Sequence, residues 1–198
     1  QKKKTIIYLP GSGEIAYNAV YKHGNEFNDY VFSCVDYHGA QESTGKMNKK
    51  SMLNTGLELY DYLIKQKYVD KNHIYIMGWS YSTGIVSYLA SKRSFKKLVL
   101  VAPYRDSADM YNKHSPLYFG PMKLFITENF ETKEYLKNIN NETLLITSKN
   151  DKTLKSKYAY DLKAIMKNAQ VSLYSNESHS NYFNNKNWLQ LQFDRQVS

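Results

Sequence analysis

Short runs of β-branched and aliphatic residues alternate along the chain with segments of helical spacing, and this alternation narrows the possible folds most sharply. "TIIYL" (5–9), "YVFSCVDY" (30–37), "HIYIM" (73–77), "KKLVLVAP" (96–103), "TLLITS" (143–148) and "VSLYS" (171–175) read as strands. Helices are predicted between them over 14–28, 48–67, 82–92 and 154–168, with a last one over 181–194. Within 48–67, Met52, Leu53, Leu57, Tyr60, Leu63 and Ile64 fall near one face of a helix. Leu98 to Val101 shows no polar alternation, as expected of a strand covered on both faces. The implied fold class is α/β: a single domain over 1–198 with a mostly parallel sheet and helices on both faces. Residues 104–141 break the rhythm and are predicted to form a small cap insertion. In such sheets the loops leaving the carboxyl ends of the strands converge on the ligand.

Composition removes several classes of function. The formal net charge is +9, from 27 Lys and Arg against 18 Asp and Glu. The lysines are scattered apart from Lys2 to Lys4, and no RNA-recognition or zinc-finger signature is present, so no nucleic-acid partner is expected. The positive charge suits an anionic membrane surface as a partner. No apolar run approaches the roughly 18 residues of a membrane span. Cys34 is the one cysteine, so no internal disulfide can form; in "YVFSCV" it reads as a buried, inert thiol. Ile6 to Leu9 is shorter than the apolar part of a signal peptide and reads as a strand. A chain opening on Gln is expected to have been processed or trimmed, which leaves the compartment, cytoplasm or cell envelope, open. Nothing in the sequence fixes an oligomeric state.

The chemistry concentrates just after strands. Gly78-Trp79-Ser80-Tyr81-Ser82 approximates G-x-S-x-G, the sharp strand-to-helix turn that lifts a serine hydroxyl out of a sheet. A hydroxyl needs a base to take its proton, and a histidine base needs an orienting carboxylate. Asp151, in "LLITSKND", and His179, in "NESHSNYF", follow later strands in the order Ser, Asp, His. Two backbone N–H groups should face a developing oxyanion. Those of Ser12, in the loop "LPGSGE", and Tyr81, which follows the serine, are the candidates. His23, His38, His73 and His114 lie in no H-E-x-x-H pattern, so neither a metal nor another cofactor is expected.

In order along the chain, "PGSGE", "VDYHGAQESTGK", "IYIMGWSYSTG", "LVLVAPY", "LLITSKND" and "ESHSNYF" resemble the small serine hydrolases of the α/β-hydrolase superfamily. The small-lid Bem-type and protein-depalmitoylase-like hydrolases are the nearest group, and the resemblance spans nearly the whole chain. It implies a catalytic triad of Ser80 as nucleophile, Asp151 as acid and His179 as base. The implied activity is a carboxylesterase or thioesterase working through an acyl-enzyme on a small-molecule or acylated substrate. The family's first-loop His-Gly is Pro10-Gly11 here, its Arg is His38, and the last glycine of the elbow is Ser82, where a Cβ should crowd the turn. Its lid falls at 104–141, where Tyr104, Tyr111, Tyr118, Phe119, Phe125 and Phe130 either line an acyl pocket or pack in the core.

Three alternatives remain at this level. "GSGEIA" with Asp36 approximates a dinucleotide-binding fingerprint, in which the acid holds a ribose. Asp106, in "APYRDSAD", is a second candidate for the acid. A catalytically silent binding protein on the same scaffold is the third, kept open by Pro10 and Ser82.

Overall fold

The computed structural model describes residues 1–113 and 120–184. Strands β1 (Lys3–Leu9), β2 (Tyr30–Cys34), β3 (Val69–Trp79), β4 (Lys97–Val101), β5 (Glu142–Ser148) and β6 (Ala169–Tyr174) alternate with helices. The helices are α1 (Ala16–His23), α2 (Lys49–Leu63), α3 (Ser82–Lys92), α4 (Ser107–Tyr111), α5 (Thr132–Leu136) and α6 (Ser156–Lys163). All six strands pair in parallel in the order β2-β1-β3-β4-β5-β6. From β1 the chain runs outward to β2, returns as β3 on the other side of β1, then proceeds away to β6. The order reverses between β1 and β3, so the loops leaving these two strands part company there and open a crevice at the carboxyl edge.

Burial follows the apolar runs. Ile6 to Leu9 of β1 and Leu98 to Val101 of β4 are fully buried, as strands covered on both faces must be. The one charged residue of β4, Lys97, is buried as well and pairs with Glu142 directly across on β5, at 2.8 Å. Helix α2 starts at a reciprocal cap in which the Asn48 side chain accepts from the Ser51 N–H and Ser51 Oγ accepts from the Asn48 N–H. It lies close against β1 because Gly56 has no side chain: a Cβ there would stand 3.2 Å from Leu9 Cδ1.

Several boundaries differ from the sequence expectation for local reasons. The second strand stops at Cys34 rather than 37, because Asp36 and Tyr37 turn their side chains to α1 and to the Pro10 carbonyl. Helix α6 starts at Ser156 rather than 154, because the Thr153 and Leu154 amides are taken by the Asp151 carboxylate. The helix expected over 14–28 ends at His23 and tightens into a 3₁₀ turn, Gly24–Glu26. That expected over 181–194 lies mostly outside the described residues. Cys34 is partly buried, and its thiol pKa is raised by burial and by the nearby Glu14 and Asp36 charges, consistent with an inert thiol.

Within 104–141 the described residues carry α4, a 3₁₀ segment (Gly120–Phe125) and α5. Arg105 anchors this stretch, reaching Asp109 on α4 at 2.6 Å and Asp161 on α6 at 2.8 Å. Among the described residues no helix is long and apolar enough to cross a membrane.

Candidate active site

The turn after β3 is held in a conformation that side-chain-bearing residues seldom adopt. Ser80 has φ of 53°, in the left-handed region, and is followed directly by α3. Its N–H donates to the Val101 carbonyl of β4 and its carbonyl accepts from the Thr83 N–H and hydroxyl, so both sides of the strained residue are tied down. Gly78 makes the corner sterically possible: a Cβ there would come within 2.6 Å of Val86 Cγ2. Ser82 does not crowd the turn as its Cβ suggested. It is fully buried, and its hydroxyl accepts from the Trp79 N–H at 2.9 Å while facing the Leu9 carbonyl of β1 at 2.7 Å. The serine stitches the elbow to the neighbouring strand, a link that glycine cannot make.

Ser80, His179 and Asp151 meet in a line at this edge. Ser80 Oγ is 2.8 Å from His179 Nε2, and His179 Nδ1 is 2.9 Å from Asp151 Oδ2. A carboxylate can only accept, so Nδ1 carries the proton and Nε2 is left to accept from the Ser80 hydroxyl. Asp151 is buried, with Oδ1 accepting from the Thr153 and Leu154 amides and Oδ2 accepting from His179 and from the Tyr182 hydroxyl at 3.0 Å. Burial pushes the Asp151 carboxyl pKa up. The hydrogen bonds from His179 and the two amides outweigh this and hold it below the ordinary carboxylate value. The Tyr182 hydroxyl is pushed well above the usual phenol range by burial and by the Asp151 charge, so it stays a donor.

Ser12 and Tyr81 line the same cavity as Ser80 and His179, a space of about 410 Å³. Among the described residues neither the Ser12 nor the Tyr81 N–H donates to a protein acceptor. The amide of the preceding Gly11, by contrast, is taken by Glu14 Oε2 at 3.0 Å. The N-terminus of α3 lies under the serine and favours negative charge there.

Some of the site was not foreseen. Trp79 stacks on the His179 ring at 5.7 Å between centroids and lies against Gly11, where a Cβ would come within 2.7 Å of its ring. Tyr182 completes the shell of Asp151. Met110, Lys113, Thr153 and Leu154 join the cavity wall. Among the described lid aromatics only Tyr111 lines this cavity. Tyr104 and Phe130 are fully buried beneath the elbow, the former donating to the Tyr81 carbonyl and the latter packing edge-on to the Tyr81 ring. Gly84 leaves room for Tyr104, whose hydroxyl would lie 2.2 Å from a Cβ there. Tyr118 and Phe119 lie outside the described residues, as does the side chain of Phe125.

The competing acids are committed elsewhere. Asp36 accepts from the Ala16 N–H at 2.8 Å and so caps the start of α1. Glu14 places a carboxylate inside the first glycine loop, bonded to Gly11 and to the Tyr8 hydroxyl at 2.6 Å. A loop that holds its own anion in this way repels a pyrophosphate, which speaks against the dinucleotide reading. Asp106 accepts from the Ala108 N–H at the start of α4 and pairs with Lys123.

Comparison with known proteins agrees with this architecture. The family model described as the prolyl oligopeptidase family matches residues 26–194. No sequence among the curated proteins is significantly similar. Among solved structures, Est1E from Butyrivibrio proteoclasticus with ferulic acid bound superposes with a TM-score of 0.76 at 15% identity, over 97% of this chain and 88% of that one. Acetyl xylan esterase 1 from Thermoanaerobacterium sp. JW/SL YS485 gives 0.71 at 13% identity, over 97% and 74%. Acylaminoacyl peptidase from Pyrococcus horikoshii gives 0.71 at 14% identity, covering all of this chain but only 38% of that protein. At these identities the structures speak for the fold. The family model spans most of the sequence, and on that ground the chain belongs to the prolyl oligopeptidase family.

Proposed function

We propose that the protein is a serine hydrolase that cleaves esters, thioesters included, through an acyl-enzyme, with Ser80 as nucleophile, His179 as base and Asp151 as the orienting acid. The observation that carries this reading is the continuous hydrogen-bonded line from the Ser80 hydroxyl through His179 to a buried, anionic Asp151. His179 takes the Ser80 proton as Oγ attacks the substrate carbonyl. The oxyanion faces the Ser12 and Tyr81 N–H groups, and the imidazolium is stabilised by Asp151. The same proton then passes to the departing alcohol or thiol. Water enters, His179 deprotonates it, and attack on the acyl-enzyme releases the acid and restores Ser80.

Ester cleavage is supported by the likeness to acetyl xylan esterase 1, which extends over 97% of this chain. The first test is turnover of p-nitrophenyl acetate and butyrate by the parent chain and by Ser80→Ala. The parent should be active and the variant silent, whereas equal rates from the two proteins rule the mechanism out.

A further inference from the structure

Among the described residues, the wall of the cavity carries one permanent charge. Met110, Tyr111 and Leu154 make it apolar, and Thr153 and Ser12 add neutral hydroxyls. Among the described residues Lys113 is the only cationic one on the lining apart from what His179 gains on protonation, and none of the described lining residues is a carboxylate. Among the described residues its ammonium makes one polar contact, donating to Thr153 Oγ1 at 3.2 Å. A hydroxyl orients an ammonium without neutralising it. Thr153 itself sits on the turn whose amides hold Asp151, so the charge is tethered beside the Ser80–His179–Asp151 line.

On this ground we infer that the substrate is an anionic ester, carrying a carboxylate or comparable group that pairs with Lys113 while the scissile carbonyl sits at Ser80. The inference rests on the serine-hydrolase reading and narrows it from esters in general to those bearing a negative charge within the span of the cavity. Among the described residues the exposed Lys113 ammonium meets no carboxylate, so it gains from an anion brought to the cavity, and its three donors exceed what Thr153 uses. The chain's net charge of +9 acts in the same direction at longer range, drawing anionic substrates toward the protein. A neutral acyl chain of the same length makes the apolar contacts and forgoes the pairing.

The test compares each anionic ester with a neutral isostere on the full chain. The mono-p-nitrophenyl ester of glutarate against p-nitrophenyl valerate places the charge on the acyl side. The butyrate ester of 4-hydroxybenzoate against its methyl-ester analogue places it on the leaving group. The readout is the ratio of kcat/KM within a pair, which cancels any general loss of activity. Where turnover is too slow, the readout is protection of Ser80 from a fluorophosphonate by the same compounds. In at least one pair the anionic member should be preferred by the parent. Lys113→Met should lower that preference by about fivefold, the scale of a partly exposed charge pair, and Lys113→Glu should reverse it. The preference should also shrink as salt is raised. Ratios unchanged by both substitutions, with Ser80 still reactive, overturn the anionic-substrate inference and leave the hydrolase reading standing. A parent chain whose Ser80 neither turns over any ester nor takes a fluorophosphonate overturns both.

Discussion

Asp106 and Asp151 leave neighbouring strands at the same edge of the sheet and begin alike, each using one oxygen to accept from the backbone that follows it in the chain, one amide for Asp106 and two for Asp151. Their second oxygens diverge. That of Asp106 meets the partly exposed ammonium of Lys123. That of Asp151 points inward and receives His179 and Tyr182, both delivered by the loop after β6. Position after a strand therefore gives both carboxylates the same local turn. What each one does is decided by the distant segment brought against it, and among the described residues only Asp151 receives an imidazole.

The largest expected effect that tests this contrast is on activity. Asp151→Asn should lower kcat on p-nitrophenyl butyrate by about 10³- to 10⁴-fold, because an amide neither fixes the His179 tautomer nor stabilises the imidazolium. Asp106→Asn should change kcat by less than about threefold. Comparable losses in the two variants would erase the distinction. Next comes Tyr182→Phe, which removes one of four donors to Asp151. It should lower kcat by about three- to tenfold, on the scale of one hydrogen bond, with KM unchanged. A rise in KM with kcat intact would assign Tyr182 to binding instead.

The same contrast extends to acid stability. The folded-state pKa of Asp151 lies below its unfolded value, so its contribution to stability is complete at neutral pH. That contribution is lost as pH falls from the ordinary carboxylate range through the lowered folded value. Denaturant midpoints measured across that window should therefore fall less steeply for Asp151→Asn than for the parent; an identical slope would mean that the carboxylate is not held as an anion. Smallest is Lys123→Met, which unpairs Asp106 at the surface and should shift the unfolding free energy by no more than about 1 kcal/mol.

The legibility of these features in the sequence follows from how local each one is. The six strands and the elbow were readable because their signals lie within a few residues: apolar runs such as Leu98 to Val101, and Gly78 two places before Ser80. Asp151 and His179 were readable by rank, since each follows its own strand in a recognisable order. Tyr182, Trp79 and Lys113 were not, because their importance lies in contacts across the fold that no spacing encodes. The role of Ser82 is hidden for the same reason. From the sequence it is a glycine replaced by something larger, whereas in the fold its hydroxyl reaches the Leu9 carbonyl, 73 residues away in sequence. Glu14 lies in the loop on which the dinucleotide alternative rested, and its bonds to Gly11 and Tyr8, which show that the loop already holds a carboxylate, are legible only in the fold.

The central claim is that His179 makes Ser80 a nucleophile, and it is tested most directly by mass analysis of the chain after exposure to a fluorophosphonate. The account predicts one adduct, mapped to the peptide containing Ser80, absent in Ser80→Ala and formed far more slowly in His179→Ala. An unmodified parent chain, or an adduct on Ser80 that forms equally fast without His179, would contradict it.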